Sequence, residues 1–490
     1  MNRFPDYLYI NGAKIRDISE TEAIFNPADE SIIGRAPLAS NEQTDAAIDA
    51  ARIAFDRGIW PRMSIKERVV VMQRFLDYLR SKKAEIVQLI VVEAGSTLML
   101  SDFMQYELPM KHARHLMDDA LLIRNEMIPV EITPAMDGTK ALGTSVINYD
   151  PVGVVAAITP YNFPFFLNLG KIFHALLMGN TVVLKPSPLT PYQALIFADA
   201  AIAAGLPAGV LNIINGGIET GNLITTDKRV DMVSFTGSDK VGALIAGQAA
   251  PTLKKTHMEL GGKSAFIVRE DADIAGAVQA GLTGFITHCG QGCALTTRHI
   301  VHNALRPQYV AAMQQAVAQV KVGNPADPAV MMGPLIRESA RAKVELYVQS
   351  GLDSGAKLVS GGRRPVGLDK GFYFEPTFFD DVDNRSTLAQ EEAFGPVAAV
   401  IGFDTDEEAI NLANDSNFGL SGHIYSKDAG TAYEMALQLR TGGVGINNGA
   451  GTMLSSAPFG GYKRSGYGRE FGRHGLLDFC QVKSISFQGR

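Results

Sequence analysis

Between residues 152 and 268 the chain alternates short apolar runs with longer helix-patterned stretches, and nothing else in the sequence constrains the fold as strongly. VGVVAAIT (152–159) reads as a buried strand, and FPFFLNLGKIFHALLMGN (163–180) as the helix that follows it. TVVLKPS (181–187) is a second strand, and Thr190-Pro191 suit the N-cap and first position of the next helix. VLNIING, a helix, MVSFTGS, another helix, and HMELGGKSAFIV complete the run. Strand–helix–strand at this spacing predicts a parallel, doubly wound sheet. Such sheets bind ligands at the carboxyl ends of their strands, often with phosphates on a helix N-terminus.

The flanks are less regular. The first 125 residues read as mostly helical, with apolar positions at helical spacing through residues 64–95 and Gly95 as the stop. Residues 127–153 read as a projecting hairpin turning at Met136-Asp137-Gly138. HIVHNAL, FYFEPTFFDDV, VAAVIGF and GGVGINN are the strand candidates of a second α/β domain. CQVKSISF (480–487) alternates polar and apolar like one more strand on a sheet edge.

Bulk properties exclude several classes. The 490 residues are 46% hydrophobic and 20% charged, with a net charge of −6, so neither nucleic acid nor an anionic membrane is an expected partner. No secretory leader opens the sequence, and no stretch reaches the roughly eighteen apolar residues of a membrane span. Three cysteines, Cys289, Cys293 and Cys480, are too few and odd in number for a disulfide framework, so the expected location is cytoplasmic, with reduced thiols.

Two of those cysteines stand four apart in CGQGCALTTR (289–298). No second CxxC, HxxxH at finger spacing or HExxH accompanies them, so no metal is expected, and the histidine pairs His112/His115 and His299/His302 read as structural. Without CxxC a thioredoxin-like role loses its main support. What stays open is a nucleophile, or a small buried cysteine packing like alanine. A cysteine between glycine-rich backbone and a new helix is where N–H groups can lower a thiol pKa and cradle an oxyanion. No G-x-G-x-x-G or P-loop occurs; SFTGSDKVG (234–242) can place N–H groups on a pyrophosphate, and a capped turn explains it equally well.

Five separated segments, PYNFP (160–164), HMELGGKS (257–264), GQGC (290–293), EEAFGPV (391–397) and PFGGYKRSGYGRE (458–470), resemble the aldehyde dehydrogenase superfamily in order and spacing. The likeness runs from about residue 7 to the end. It implies an α/β fold with a Rossmann-like dinucleotide-binding domain (1–126 and 149–258), a catalytic domain (259–475) and an oligomerisation hairpin and tail strand (127–148 and 476–490). A homodimer or homotetramer is the expected assembly. The implied reaction oxidises an aldehyde to a carboxylic acid with NAD or NADP. Cys293 is the implied nucleophile, Asn162 the oxyanion donor and Glu259 the general base for thioester hydrolysis. Lys171 is implied behind that base, as part of a proton relay or as a structural ion. Lys185, Ser187, Gly217, Gly237, Ser238, Glu392 and Phe394 match cofactor positions.

Three departures from the family pattern carry expectations. Pro188 stands where many NAD-preferring members carry a glutamate, which removes a repulsion against the 2′-phosphate of NADP. Tyr161 replaces a common tryptophan and keeps an aromatic wall. Gly170 and Thr287 replace bulky residues, so a wide apolar tunnel bordered by Phe163, Phe166, Leu167, Met453 and Phe459 is expected to take aromatic or long-chain aldehydes. Two other readings compete with it: a coenzyme A-acylating relative, whose members generally lack the Glu259 equivalent, and a non-catalytic binding protein that kept the fold.

Overall fold

The computed structural model describes residues 4–134, 136–447 and 454–489. Among these, eight strands form one sheet in the order Ala13–Ile15, Leu8–Ile10, Leu211–Ile213, Thr181–Lys185, Val154–Ile158, Met232–Thr236, Lys255–Glu259 and Gly466–Tyr467. The run from Leu211–Ile213 to Lys255–Glu259 is parallel throughout, and the strands added at either end are antiparallel. Every residue of Val154–Ile158, Thr181–Lys185 and Met232–Thr236 is buried, as a sheet covered on both faces requires. Val154, Ala156 and Ile158 enter one apolar layer, Val155 and Ala157 the other.

Chain order reverses between Val154–Ile158 and Met232–Thr236: successive strands add outward on one side, then on the other. A reversal of this kind opens a crevice outside the carboxyl ends of the two strands. The second sheet runs Lys357–Ser360, Thr377–Asp380, Val397–Phe403, Arg298–His302, Ala265–Val268, Ser421–Tyr425, Gly443–Ile446. Lys140–Pro151 pairs along its length with Cys480–Gly489, and also with Glu131–Pro134 and Glu126–Met127. Asp137 closes the turn between them by accepting from the Thr139 backbone N–H and hydroxyl.

Two expectations need correction and one needs completing. The first 125 residues are mostly helical, in helices between Asn41 and Leu122, yet they open on strands: Leu8–Ile10 and Ala13–Ile15 extend the first sheet, and Glu20–Phe25 pairs with Ile32–Leu38. The signal was Asn11-Gly12, whose φ values of 51° and 78° make the tight hairpin turn that such a dipeptide favours. HMELGGKSAFIV is two strands in different sheets, Lys255–Glu259 and Ala265–Val268, with the crossing at residues 260–264. Thr190 does not cap the helix Tyr192–Ala204, and its hydroxyl is buried without a partner. The cap comes from Glu93, whose oxygens accept from the N–H groups of Tyr192 and Gln193 at 3.0 and 3.1 Å. Among the described residues no helix is long and apolar enough to cross a membrane.

Burial pushes the Glu93 carboxyl up to about 8, against the pull of those two N–H groups. The folded protein therefore keeps a proton that the unfolded chain releases, and this contribution to stability fades as pH rises from the ordinary carboxylate range through about 8. Glu93→Gln, which does not titrate, is expected to gain stability relative to the wild type over that window. Urea midpoints at about pH 5 and about pH 9 check it, and a constant gap contradicts it.

Candidate active site

The helix Ile274–Ile286 does not continue into the cysteine segment. Thr287–Gly290 form a tight turn in which His288, Cys289 and Gly290 all have left-handed backbone, with φ of 51°, 55° and 72°. Cys289 is sealed in the core of the second sheet, and the His288 ring lies edge-on to Phe163, 5.4 Å between centroids. Beyond the turn the chain runs irregularly to the strand Arg298–His302, so no new helix follows Cys293. Cys293 is partly exposed and faces a cleft of about 390 Å³.

Gln291 fixes this segment. Its backbone carbonyl accepts from Asn162 Nδ2 at 2.8 Å, and its side-chain oxygen accepts from the Ile336 N–H at 3.0 Å. Gly262 presses against the other side, where a Cβ would sit 2.4 Å from the Cys293 carbonyl oxygen, so only glycine fits. Glu392 accepts from the Gly262 N–H at 2.9 Å. Burial raises the Glu392 carboxyl to about 7.

The cleft lies at the strand-order reversal, and Asn162, Gly237, Ser238, Glu259, Cys293, Glu392 and Phe394 line it together. Lys171 stands behind it, fully buried, donating to Ser234 Oγ and Glu470 Oε1, both at 2.9 Å. Lys185 and Ser187 follow the carboxyl end of the neighbouring strand Thr181–Lys185, where Lys185 Nζ donates to the Gly216 carbonyl at 2.9 Å. Gly217 precedes the helix Ile218–Thr226 and has open space where a Cβ would be. None of the described tunnel candidates lines this cleft. Phe166 packs on Phe471, Gly170 faces the Phe471 ring at 3.9 Å, and Phe459 exchanges backbone bonds with Glu470. Leu167 lies half-buried on the same helix, and Thr287 Oγ1 donates back to the Thr283 carbonyl. Met453 lies outside the described residues.

The electrostatics correct one expectation. Burial, with the Glu392 and Glu259 carboxyls adding to it, pushes the Cys293 thiol up to about 12; the backbone N–H groups of Cys293 and Ala294 oppose this without overcoming it. The Glu259 carboxyl, fully enclosed and with neither oxygen hydrogen-bonded, is pushed well above the ordinary carboxylate range by burial and by Glu470. Sequence reasoning missed Glu470 as a residue, although its segment was singled out. It also missed His257, and Arg337, Ser339 and Lys343, which wall the cleft from a distant helix whose sequence carries no motif.

A dinucleotide fits these residues. Ser238 caps the helix Asp239–Ala249 at the mouth of the cleft, and the buried Thr236 hydroxyl lining it has no partner within the protein. Gly217 leaves a surface that backbone-close ligand groups can approach.

Fold and cleft define an α/β protein with a cysteine, an amide and a carboxyl group converging at a dinucleotide-type crevice. Residues 15–485 match the aldehyde dehydrogenase family, and the chain belongs to it. An aldehyde dehydrogenase of Mycobacterium tuberculosis, solved with NAD+, is 40% identical with a TM-score of 0.92, covering 98% of this chain and 97% of its own. Aldehyde dehydrogenase C of Pseudomonas syringae, a cysteine-to-alanine mutant solved with NAD+ and octanal, is 36% identical with a TM-score of 0.93, covering 99% and 97%. Betaine aldehyde dehydrogenase of Staphylococcus aureus, solved with NAD+, is 34% identical with a TM-score of 0.94, covering 99% and 98%.

Alkylation by iodoacetamide is expected to reach Cys293 and spare the buried Cys289 and Cys480 in the native protein, as peptide mass spectrometry would show. Its rate should climb about tenfold per unit between about pH 7 and about pH 9, since the thiolate fraction grows that way well below the thiol pKa. A plateau near neutrality would mean a thiolate already formed in the free protein.

Proposed function

We propose that the protein oxidises apolar aldehydes to carboxylic acids with NAD+ as the acceptor, using Cys293 as nucleophile and Glu259 as base. The observation that carries this reading is the convergence of Cys293, Asn162 and Glu259 on one cleft at the strand-order reversal. The aldehyde carbon bonds to the Cys293 sulfur, and the thiol proton passes to water in the cleft as the carbonyl oxygen takes on negative charge. Asn162, steered by its bond to the Gln291 carbonyl, and the Cys293 backbone N–H are the donors for that oxygen. NAD+, when bound, supplies the hydride acceptor that leaves the sulfur-bound carbon at the oxidation level of a thioester. Thr236, Ser238, Glu392 and Phe394, with Lys185, Ser187, Gly217 and Gly237 beside them, are the residues that would hold it.

Glu259 then draws a proton from water, and the hydroxide attacks the thioester carbonyl to free the carboxylate product and the Cys293 thiol, whose proton comes from that hydroxide. Its raised pKa makes it an effective base only once deprotonated, so the hydrolytic step gains rate as pH rises. Glu259 also disfavours a coenzyme A acceptor, because it provides for hydrolysis. The octanal seen in the Pseudomonas syringae protein supports a long-chain substrate class.

For the cofactor, Pro188 puts no carboxylate beside Lys185; the charge acting on that lysine is Glu22. NADP+ is therefore an expected second acceptor. For assembly, Met127, Ile132, Val482 and Phe487 stand exposed on the 126–151 and 480–489 ribbon, which supports strand pairing between subunits in a homodimer or homotetramer. Three free cysteines suit a reducing, cytoplasmic location.

Reduced nicotinamide formation with octanal and with benzaldehyde tests the reading. Cys293→Ser should abolish turnover, and Asn162→Ala should lower kcat by about 10²–10³-fold. Glu259→Gln should release one equivalent of reduced nicotinamide per site and then stall, while coenzyme A leaves wild-type turnover unchanged. Full steady-state turnover in Cys293→Ser would overturn the mechanism.

A further inference from the structure

We infer that a small cavity in the second domain, lined by Lys263, Arg298 and Arg440 and by the hydroxyls of Ser264 and Thr441, binds one inorganic anion of halide size. The inference is independent of the reading of Cys293. The cavity, of about 20 Å³, shares no lining residue with the cleft. Lys263 and Ser264 end the segment HMELGGKS, whose Glu259 the reaction uses and whose last two residues it does not.

Positive charge gathers here without an anion to meet it. Arg298 is 1% exposed, and its guanidinium donates only to neutral oxygens: the carbonyls of Lys263, Leu412 and Ala413 and Asn384 Oδ1, between 2.9 and 3.0 Å. Lys263 is 3% exposed, and its Nζ has no hydrogen bond within the protein. Lys463, close enough to feel the charges of Arg440 and Arg298, donates to the carbonyls of Asn414 and Ser416 at 2.7 and 2.9 Å. Arg440 stands exposed where the cavity meets a wider polar groove. Among the described residues none of these four cations forms an ion pair.

The carboxyls that act on them from farther off are engaged elsewhere. Asp415 accepts from Asn384 Nδ2 at 3.0 Å, Glu391 from the Tyr347 hydroxyl at 2.8 Å and Glu392 from the Gly262 N–H at 2.9 Å. A charge withdrawn from water is costly unless a counter-charge meets it. The strain shows at Lys263, whose ammonium is held down at about 7 by burial and then by Arg298. An anion in the cavity opposes both effects.

The lining offers donors for it. Ser264 is 4% exposed, and its Oγ is buried without a partner, as is Thr441 Oγ1. Arg298 has five N–H groups and its bonds use four, which leaves one on Nη2. The volume admits one occupant little larger than water. Water would satisfy the hydroxyls and leave the charge unmet; a halide meets both. Once bound, it would fasten Ser264 to Thr441, just before the strand Gly443–Ile446. Gly262, two residues before Ser264, presses on the Cys293 carbonyl, so occupancy reaches the cleft through a short piece of backbone.

The test uses the full chain, with bromide and chloride as probes. In crystals grown with sodium bromide, anomalous scattering should place one bromide between Ser264 Oγ and Thr441 Oγ1. In solution, replacing gluconate, which is too large for the cavity, by chloride at constant ionic strength should raise the thermal midpoint by about 1–2 °C and then saturate. Ser264→Ala and Thr441→Val should each lose at least half of that rise, with midpoints in gluconate confirming that both are folded. A midpoint that follows ionic strength whichever anion supplies it, or a full chloride response in both folded variants, would overturn the site. So would bromide crystals that show only water there, or a carboxylate of a second subunit filling the cavity.

Discussion

A left-handed turn decides which cysteine meets the cleft. His288 and Cys289 adopt backbone that non-glycine residues avoid, at a cost of about 1–3 kcal/mol each. The surroundings offset it: Cys289 is sealed in the second sheet's core, and His288 rests edge-on against Phe163. Gly290 completes the turn at a point where a Cβ would lie 2.0 Å from the Gly395 carbonyl oxygen. Had the helix Ile274–Ile286 run on, Cys289 and Cys293 would have shared one helical face. With the turn in place, one thiol goes inward and the other emerges beside Asn162, and Gln291 between them bonds the two sides together.

The same packing shapes the electrostatics. A thiol and two carboxyls are enclosed around the cleft, and each is held toward its neutral form. Behind them Lys171 supplies one buried positive charge, and Glu470 takes it: Glu470, pulled below the ordinary carboxylate range despite its burial by Lys171, His257 and His174, is the anion. Glu259 is left as the member pushed toward its protonated form. Two buried carboxyls and one lysine thus divide into an ion pair and a carboxyl without one, and their acidities are driven apart.

Much of the parallel sheet was legible because its strands are short apolar runs between helix-length segments, and local pattern is enough for that. The first strands escaped because they are three residues long and make sense only once Leu211–Ile213 is beside them. At the helix Tyr192–Ala204 the sequence offered a capping hydroxyl, yet the carboxyl of Glu93, about a hundred residues earlier, caps it. The converging site residues could be named from their motifs, but their titration could not: the pattern GQGC suggests an activated thiol, whereas the depth of the cleft raises it. His257 stayed unnoticed for a similar reason. Its meaning depends on Asp478 and Glu470, both more than two hundred positions away in the chain.

Gly170 shows how the helix Pro164–Leu177 and the buried Lys171–Glu470 pair are mechanically one unit. Its missing side chain leaves room over which the Phe471 ring lies, and its carbonyl meets His174 Nδ1. His174 in turn accepts the N–H of Phe471, a residue held at φ 62° and ψ 156°, where only glycine is comfortable. Phe471 is the direct neighbour of Glu470, so the bond that holds this strained backbone also sets where the Glu470 carboxylate stands against Lys171 and His257. A side chain larger than hydrogen at position 170 would push first on the Phe471 ring and, through it, on the Glu470 carboxylate that helps push the Glu259 carboxyl up. Packing at position 170 and the acidity of Glu259 are therefore coupled by contact, and a change made in one is transmitted to the other.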